Sequence, residues 1–277
     1  MGLFDGLLSV FGSGDERESA AGSTADSRTS VDGPPNQSHG SHWDTVLADE
    51  GNWPEPVEAA LDHAMEHGTR VESQRNDVSG VRYDEGPGTV WVTVDDRDER
   101  SGEIVSFYPG IDGTDVTLSV HGLREWATGV EAWVQGDLGP ATVSTFPTNF
   151  FARERDAFGG NCEVSLAAML YEGGPHETGS VSLAGGDAYE LGAAAAMNET
   201  EGGAPDDYYF QTSVEDVERV SGDLFDGYLI EAPFFRKQDA GVDVPGTLYL
   251  GSHVAGSYEP AVGDAIEGAG WLQARFL

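Results

Sequence analysis

Apolar and polar residues alternate with a period of two over most of the chain from about residue 70 onward. Such alternation over four to eight residues is typical of strands that bury one face. The predicted strands are 88–94, 103–109, 115–120, 130–135, 141–146, 162–171, 180–185, 207–214, 226–235, 246–251 and 265–276. Gly, Asp and Pro separate them at hairpin-like intervals. The pattern predicts a mainly β fold, an antiparallel barrel or sandwich built as one large or two small β units.

One helix is predicted before these strands, within residues 52–68. Residues at helical spacing are Val57, Ala60, Leu61, Ala64 and Met65, and Gly68 follows as a stop signal. The stretch 188–198 is ambiguous, and its alanines favour a short helix.

The last predicted strand, 265–276, has two different faces. We assign one face to the core: Ile266, Gly268, Gly270, Leu272, Ala274 and Phe276. The other face is expected to be a mixed surface: Glu267, Trp271, Gln273 and Arg275. We therefore expect Trp271 to be half-buried.

The N-terminal part divides by composition. Residues 1–12 are a short amphipathic segment, and residues 13–42 are rich in Ser, Gly, Asp and Pro, which predicts a disordered linker. Residues 43–70 form a helical lead-in to a β-rich body at 71–277, with a second domain boundary considered near 198–206. His39 and His42 fall in the linker, where we expect them to have no role.

The charge balance points to an environment rather than to a ligand. The chain has 49 acidic and 14 basic residues, a formal net charge of −35 and a single lysine, Lys237. At about 1 M salt the Debye length is about 3 Å, so the self-repulsion of such a surface is screened. The composition resembles that of haloarchaeal proteins, and we expect the fold to require high salt.

Localisation is predicted from what the sequence lacks. No stretch is apolar over the 18 or so residues of a membrane span, and the first residues lack the pattern of a secretory signal. We expect a cytoplasmic protein, with peripheral membrane contact through residues 1–12 as an alternative. The single cysteine excludes an intrachain disulfide.

His63, Glu66 and His67 form the pattern H-x-x-E-H on the predicted helix. The pattern resembles that of inverzincin-type zinc peptidases, which implies two zinc ligands and a general base. The resemblance covers five residues only. We favour the alternative, a pair of solvated histidines at a helix C-terminus, and expect no cofactor.

Two segments combine aromatic and basic residues against the acidic background. They are Phe150, Phe151, Arg153 and Arg155 in the first, and Phe234, Phe235, Arg236 and Lys237 in the second. Aromatic rings beside cations are what single-stranded nucleic acid binding requires. Adjacent phenylalanines also commonly complete a core, and we favour core packing over ligand contact.

Two further patterns concern architecture. A run of residues near the C-terminus resembles a strand entry of OB-type small barrels: Tyr258, Pro260, Val262, Gly263, Asp264 and Ile266. The pattern Trp-x-Gln occurs twice, at Trp133 and at Trp271, each time with a glutamate on the same strand face. Neither pattern identifies a ligand.

These observations favour a non-enzymatic binding or adaptor module of a halophilic cytoplasm, tethered to a membrane or to a protein partner through residues 1–12. One alternative is single-stranded nucleic acid binding by an OB-like barrel. A second alternative is a metal-dependent hydrolase that uses the helix with His63, Glu66 and His67.

Overall fold

The computed structural model describes residues 28–30, 39, 42–48, 54–75, 77–97, 102–182, 188–190, 192–200 and 203–277. Within these residues the chain is mainly β, as the alternating pattern predicts. The strands are β1 Arg28–Ser30, β2 Thr69–Val71, β3 Val78–Glu85, β4 Gly88–Asp95, β5 Ile104–Ile111, β6 Thr114–Glu125, β7 Ala132–Leu138, β8 Ala141–Pro147, β9 Gly160–Pro175, β10 Ser180–Ser182, β11 Ala188–Glu190, β12 Ala194–Glu199, β13 Asp207–Ser213, β14 Asp216–Val220, β15 Gly227–Lys237, β16 Val242–Gly251 and β17 Ala265–Phe276.

The helices are few and mostly short. They are α1 Pro54–His67 and α2 Ser252–Ala255, with 3-10 turns at Trp43–Thr45, Phe150–Ala152, Arg155–Ala157 and Gln238–Ala240. The predicted helix is confirmed as α1, whose apolar face, including Val57 and Leu61, is buried. It packs on an antiparallel sheet of order β2-β3-β4-β5.

The remaining strands form two rings that share β9 and β17. The first ring has five strands, in the order β6-β7-β8-β17-β9 and back to β6. The second has six, in the order β17-β13-β12-β15-β16-β9 and back to β17. All neighbours are antiparallel except β8 with β17 and β16 with β9, which are parallel. Apolar residues of both rings, among them Leu118, Leu166 and Phe234, belong to one core.

Strand β17 is buried on both faces, which corrects one prediction. Trp271 is 0% and Gln273 is 1% exposed, so the middle of their face is not a mixed surface, whereas Glu267 and Arg275 toward its ends are half-buried. The reason is a second layer: Trp271 belongs to an aromatic cluster that includes Trp91 of β4 and Tyr108 of β5. The four-stranded sheet thus covers the face that the alternation alone suggests is open to solvent. The opposite face lies in the core, as predicted.

The stretch 188–198 contains strands β11 and β12, so the prediction of a short helix there was wrong. Strand β12 pairs with β13 on one side and with β15 on the other. Ala194 and Ala195 are buried between these neighbours. Pairing on both sides outweighs the modest helix preference of alanine, since propensity is a weak guide once tertiary contacts form. The suggested boundary near 198–206 falls between β12 and β13, which pair directly.

His39 and His42 also depart from prediction, because the structure places both in the folded body. His39 is 3% exposed, and His42 stacks on Trp271 with ring centroids 4.6 Å apart. The following residue, Trp43, packs against Phe107 of β5 at 4.5 Å. The aromatic contacts of these rings stabilise their buried positions, although the neighbouring residues in the sequence are polar and typical of a linker. Residues 1–12 and most of the predicted linker lie outside the described residues.

No helix in the described part of the chain combines the length and the apolar character that a membrane crossing needs.

Candidate functional site

A cleft of about 600 Å³ lies beside the loop that joins β6 to β7. Its lining residues come from three separate parts of the chain: Gln74, Arg75, Val78, Thr128, Gly129, Glu154, Arg155 and Asp156. The β2–β3 turn provides the first group, the β6–β7 loop the second, and the 3-10 turns between β8 and β9 the third. One of the predicted ligand-contacting residues, Arg155, therefore lines a cavity.

The first Phe-Phe segment fixes Arg75 at the cleft. The Arg75 guanidinium lies 4.1 Å from the centroid of the Phe150 ring, and its Nη2 donates to the Phe150 carbonyl at 3.3 Å. The backbone N–H of the neighbouring Gln74 donates to the Phe151 carbonyl at 2.8 Å. These bonds hold the β2–β3 turn against the 3-10 turn at 150–152, so Arg75 has a fixed position.

The two arginines of the cleft have different environments. Arg155 is exposed and donates from Nη2 to the carboxylate of Glu125, which is largely buried. Burial lowers the pKa of Arg75, and the like charge of Arg155 lowers it further, although Glu125 acts in the opposite direction. Arg75 remains a cation at neutral pH because its ordinary pKa is above 12.

Two polar atoms of lining residues are buried without a hydrogen-bond partner among the described residues. They are Arg75 Nε and Thr128 Oγ1, and the indole Nε1 of Trp126 in the same loop shares this property. A buried polar group without a partner costs about 1–3 kcal/mol, so most such groups in native proteins are satisfied. Two of these three atoms belong to residues that line the cleft.

The rim of the cleft has the opposite charge to its interior. Glu154 and Asp156 flank Arg155 in the sequence, and both are exposed. The cleft therefore offers hydrogen-bond donors inside and carboxylates outside. Such an arrangement suits a ligand with oxygen acceptors and a positive charge better than it suits a polyanion.

The aromatic residues of the two predicted segments are mainly in the core. Phe150, Phe151 and Phe234 are each 0% exposed, and Phe235 is half-buried. The segments have separate partners, because Phe150 packs on Phe158 whereas Phe234 packs on Phe210. The structure does not place the second segment at the cleft.

The other predicted basic residues are held by hydrogen bonds or ring contacts. Arg153 Nη2 donates to the Phe276 carbonyl at 2.6 Å. Arg236 donates to Asp243 at 2.8 Å and to Glu215 at 2.5 Å. Lys237 Nζ lies 5.6 Å from the centroid of the Tyr189 ring. Arg236 is thus held by two carboxylates.

His63, Glu66 and His67 lie on the exposed face of α1. The two imidazole centroids are 4.5 Å apart, and His67 Nε2 is 3.9 Å from Glu66 Oε2. No third ligand joins them: across the described ranges, no three His, Cys, Asp or Glu side chains converge as a metal-binding group.

Sequence reasoning missed Arg75 and Thr128. Arg75 lies in a turn between two strands that the alternating pattern did not predict, and Thr128 lies in an ordinary glycine turn. The available signal was the arginine itself, because each of the 14 basic residues is conspicuous beside 49 acidic ones.

A second polar cluster centres on Glu267 of β17. Its Oε2 accepts from the Tyr209 hydroxyl at 2.7 Å and lies 2.5 Å from His176 Nδ1. His176 Nε2 lies 2.9 Å from the Ser180 carbonyl oxygen. His176 Nε2 also lies 2.8 Å from the Thr178 hydroxyl oxygen, so both ring nitrogens are engaged in hydrogen bonds. His176 thus ties the chain after β9 to β17, and it is not available as a base.

This geometry predicts a pH dependence of stability. Burial alone would lower the pKa of His176, but the bonds to Ser180 and Glu267 outweigh it and raise that pKa. The stabilisation is therefore complete below about pH 6.5, the ordinary pKa of histidine, and is lost as pH rises through the raised value. We expect the free energy of unfolding in denaturant to fall over that interval in the native chain. The same fall in a His176→Gln variant would contradict the assignment.

Comparison of the chain with protein-family models, with curated proteins and with solved structures found no match, so the function is argued from the geometry above.

Proposed function

We propose that the chain is a non-enzymatic binding module and that the cleft beside the β6–β7 loop holds a peptide segment of a partner protein. The observation that carries the proposal is that Arg75 and Thr128, each with a buried polar atom that has no partner among the described residues, line the same cleft. A peptide backbone supplies carbonyl oxygens at regular intervals, and the guanidinium of Arg75 can donate to them.

The charges of the cleft support a basic peptide. Glu154 and Asp156 at the rim would pair with a lysine or arginine side chain of the partner, while Arg75 faces its carbonyl oxygens. Complementary charges of this kind confer specificity more than affinity. They also favour a partner that differs in charge from this strongly acidic chain.

The fold supports a binding role as well. The five-stranded ring is an architecture of OB-type barrels, to which the C-terminal pattern of Gly263 and Asp264 bears a resemblance. In that fold the loop between the first two strands contributes to ligand binding. Here the corresponding loop is the β6–β7 loop, which contains Thr128 and Gly129.

Single-stranded nucleic acid is the second candidate ligand, and the five-stranded ring is the observation that favours it. Two observations weigh against it. Phe150 and Phe151 are buried and offer no exposed face for a base, and the carboxylates of Glu154 and Asp156 would repel phosphates.

The proposed setting is a high-salt cytoplasm. A net charge of −35 keeps such a chain hydrated and soluble where salt screens self-repulsion. We further propose residues 1–12 as the tether to a membrane or partner.

The Thr128→Val variant tests the proposed cleft. Valine keeps the shape of threonine and removes a buried hydroxyl that has no partner, so the free energy of unfolding should rise by about 1 kcal/mol. Affinity for a basic peptide should fall roughly tenfold, which corresponds to about 1.4 kcal/mol. The measurement is calorimetric titration in molar KCl, against a panel of synthetic basic peptides and against oligo-dT.

Thr145→Val is the matched control. Thr145 is 0% exposed, lies on β8 outside the cleft lining, and also has a hydroxyl without a partner among the described residues. It should gain stability with unchanged peptide affinity. Equal affinity losses in both variants, or saturable binding of oligo-dT but of no peptide, would refute peptide binding at the cleft.

A further inference from the structure

Asp206 is a buried carboxylate at which the two Trp-x-Gln strands meet. Trp133 of β7 donates from Nε1 to Asp206 Oδ1 at 3.1 Å, and Trp271 of β17 donates to Oδ2 at 2.9 Å. Asp206 itself is 0% exposed and directly precedes β13. The sequence recurrence therefore has a structural meaning, since each tryptophan supplies one donor to the same acceptor.

The third side chain at this carboxylate is His39. Its Nε2 lies 3.1 Å from Asp206 Oδ1, and its backbone amide donates to Glu131 Oε2 at 2.7 Å. His39 is 3% exposed, although it comes from the polar N-terminal region. Glu131 is fixed in turn by the Ser106 hydroxyl, which donates to its other carboxylate oxygen.

Aromatic rings surround the imidazole of His39. The centroid distances are 5.0 Å to Phe146, 5.6 Å to Trp271, and 5.8 Å to both Trp126 and Trp133. The ring planes of His39 and Trp271 differ by only 15°, whereas Trp133 meets the imidazole at 87°. Aromatic side chains within about 6 Å of a cation, beside a carboxylate, are the usual construction of an organic-cation site.

The electrostatics agree with a cation at this position. Burial would raise the pKa of Asp206, but the interactions with His39, together with smaller ones with His42 and Trp271, outweigh burial and lower that pKa, so Asp206 is ionised. Burial raises the pKa of Glu131. His42 lies beside both rings, 5.3 Å from His39 and 4.6 Å from Trp271, and is neutral because burial and the charge of His39 lower its pKa to about 3.

We propose that these residues form a binding site for a flat organic cation, and that His39 is its built-in ligand. The cage consists of Trp126, Trp133, Phe146, Trp271 and Asp206. Its ligand class is an imidazolium or a similar planar cation with one N–H donor for Asp206. Because His39 belongs to the same chain as the cage, its effective concentration there is on the order of millimolar. A free cation must therefore compete with His39 for the site. The site is separate from the cleft and does not depend on the proposed peptide.

Removal of the His39 ring tests the proposal. A buried cavity that is left by an aromatic deletion can bind a free ring of matching shape. The His39→Gly variant in molar KCl, at a pH below 6.5, should therefore bind imidazole. The expected signals are a saturable rise in melting temperature and a change in tryptophan fluorescence. Thiazole has nearly the same size but stays neutral, and it should bind at least tenfold more weakly.

Two controls separate a cation site from a simple hole. The native chain should not respond to imidazole, because His39 fills the cage. The His39→Gly, Asp206→Asn double variant should lose the preference for imidazole over thiazole. Equal responses to both rings in the single variant, or no response to either, would overturn the proposal.

If the His39→Gly chain does not fold, a titration of the native protein decides. NMR of the His39 ring, which faces Asp206, Glu131 and His42, should show protons on both ring nitrogens, one of them in the bond to Asp206. A ring with a proton on one nitrogen only would overturn the proposal without any variant.

Discussion

A chain that lacks residues 271–277 is expected to be unfolded. Three large side chains in this segment are buried, Trp271, Leu272 and Phe276, and each contributes roughly 3–5 kcal/mol by comparison with truncation of other core residues. Their sum is on the order of 10 kcal/mol, which is comparable with the whole stability of a typical protein. Far-UV circular dichroism and a denaturant titration in molar KCl measure the effect.

Backbone pairing increases the loss. Six residues of the segment pair with β9, from Trp271 opposite Met169 to Phe276 opposite Val164, and the segment also pairs with β8. Asn149 exchanges two hydrogen bonds with the backbone of Phe276, at 2.8 and 3.1 Å. Deletion of Leu277 alone, which is 45% exposed, is the control and should leave the fold intact. A cooperative unfolding transition in the longer truncation would contradict this account of β17.

Replacement of Gln273 by leucine is expected to destabilise the protein by about 2–5 kcal/mol. The Gln273 side chain accepts from the Ile111 amide at 3.2 Å and donates to the Pro109 carbonyl at 3.1 Å. Both partners lie at the end of β5, so this amide joins the four-stranded sheet to β17. Leucine would leave two buried backbone groups without partners. Chemical denaturation of the purified variant gives the change in free energy.

Gln135→Leu is the matched control for this prediction. Gln135 occupies the equivalent position of the other Trp-x-Gln pattern but is exposed on β7. The same chemical change should alter the free energy of unfolding by less than about 0.5 kcal/mol. Similar losses in both variants would show that the bonds from Gln273 do not join the two layers.

The β architecture was predictable because alternation is a local property of the sequence. Strand β4 and the alternation along β17 follow directly from it. Strand β3 escaped prediction, since Val81 and Tyr83 alone alternate with polar residues and Ser79 and Gly80 precede them. Burial of the β17 face that contains Trp271 could not be predicted either, because that face is covered by a sheet formed by residues 69–111.

The candidate cleft was only partly predictable. Arg155 stood out as a basic residue beside aromatic ones, but the segment's phenylalanines act in packing and not on the cavity surface. Arg75 and Thr128 reach the cleft through the docking of separate turns, which no local pattern encodes. His39 is a stronger example: its surroundings in the sequence are polar, and its burial follows only from rings that lie about 90 to 230 positions away.

The sharing of β9 and β17 by two rings has a consequence for the order of folding. Neither ring can close before β17 exists, and β17 is the last strand of the sequence. In the first ring it pairs with β8 across more than a hundred residues, as between Gln273 and Phe146. Contacts of such sequence separation form slowly, because loop closure must precede them. During synthesis the earlier hairpins must therefore wait for β17 before either ring can close.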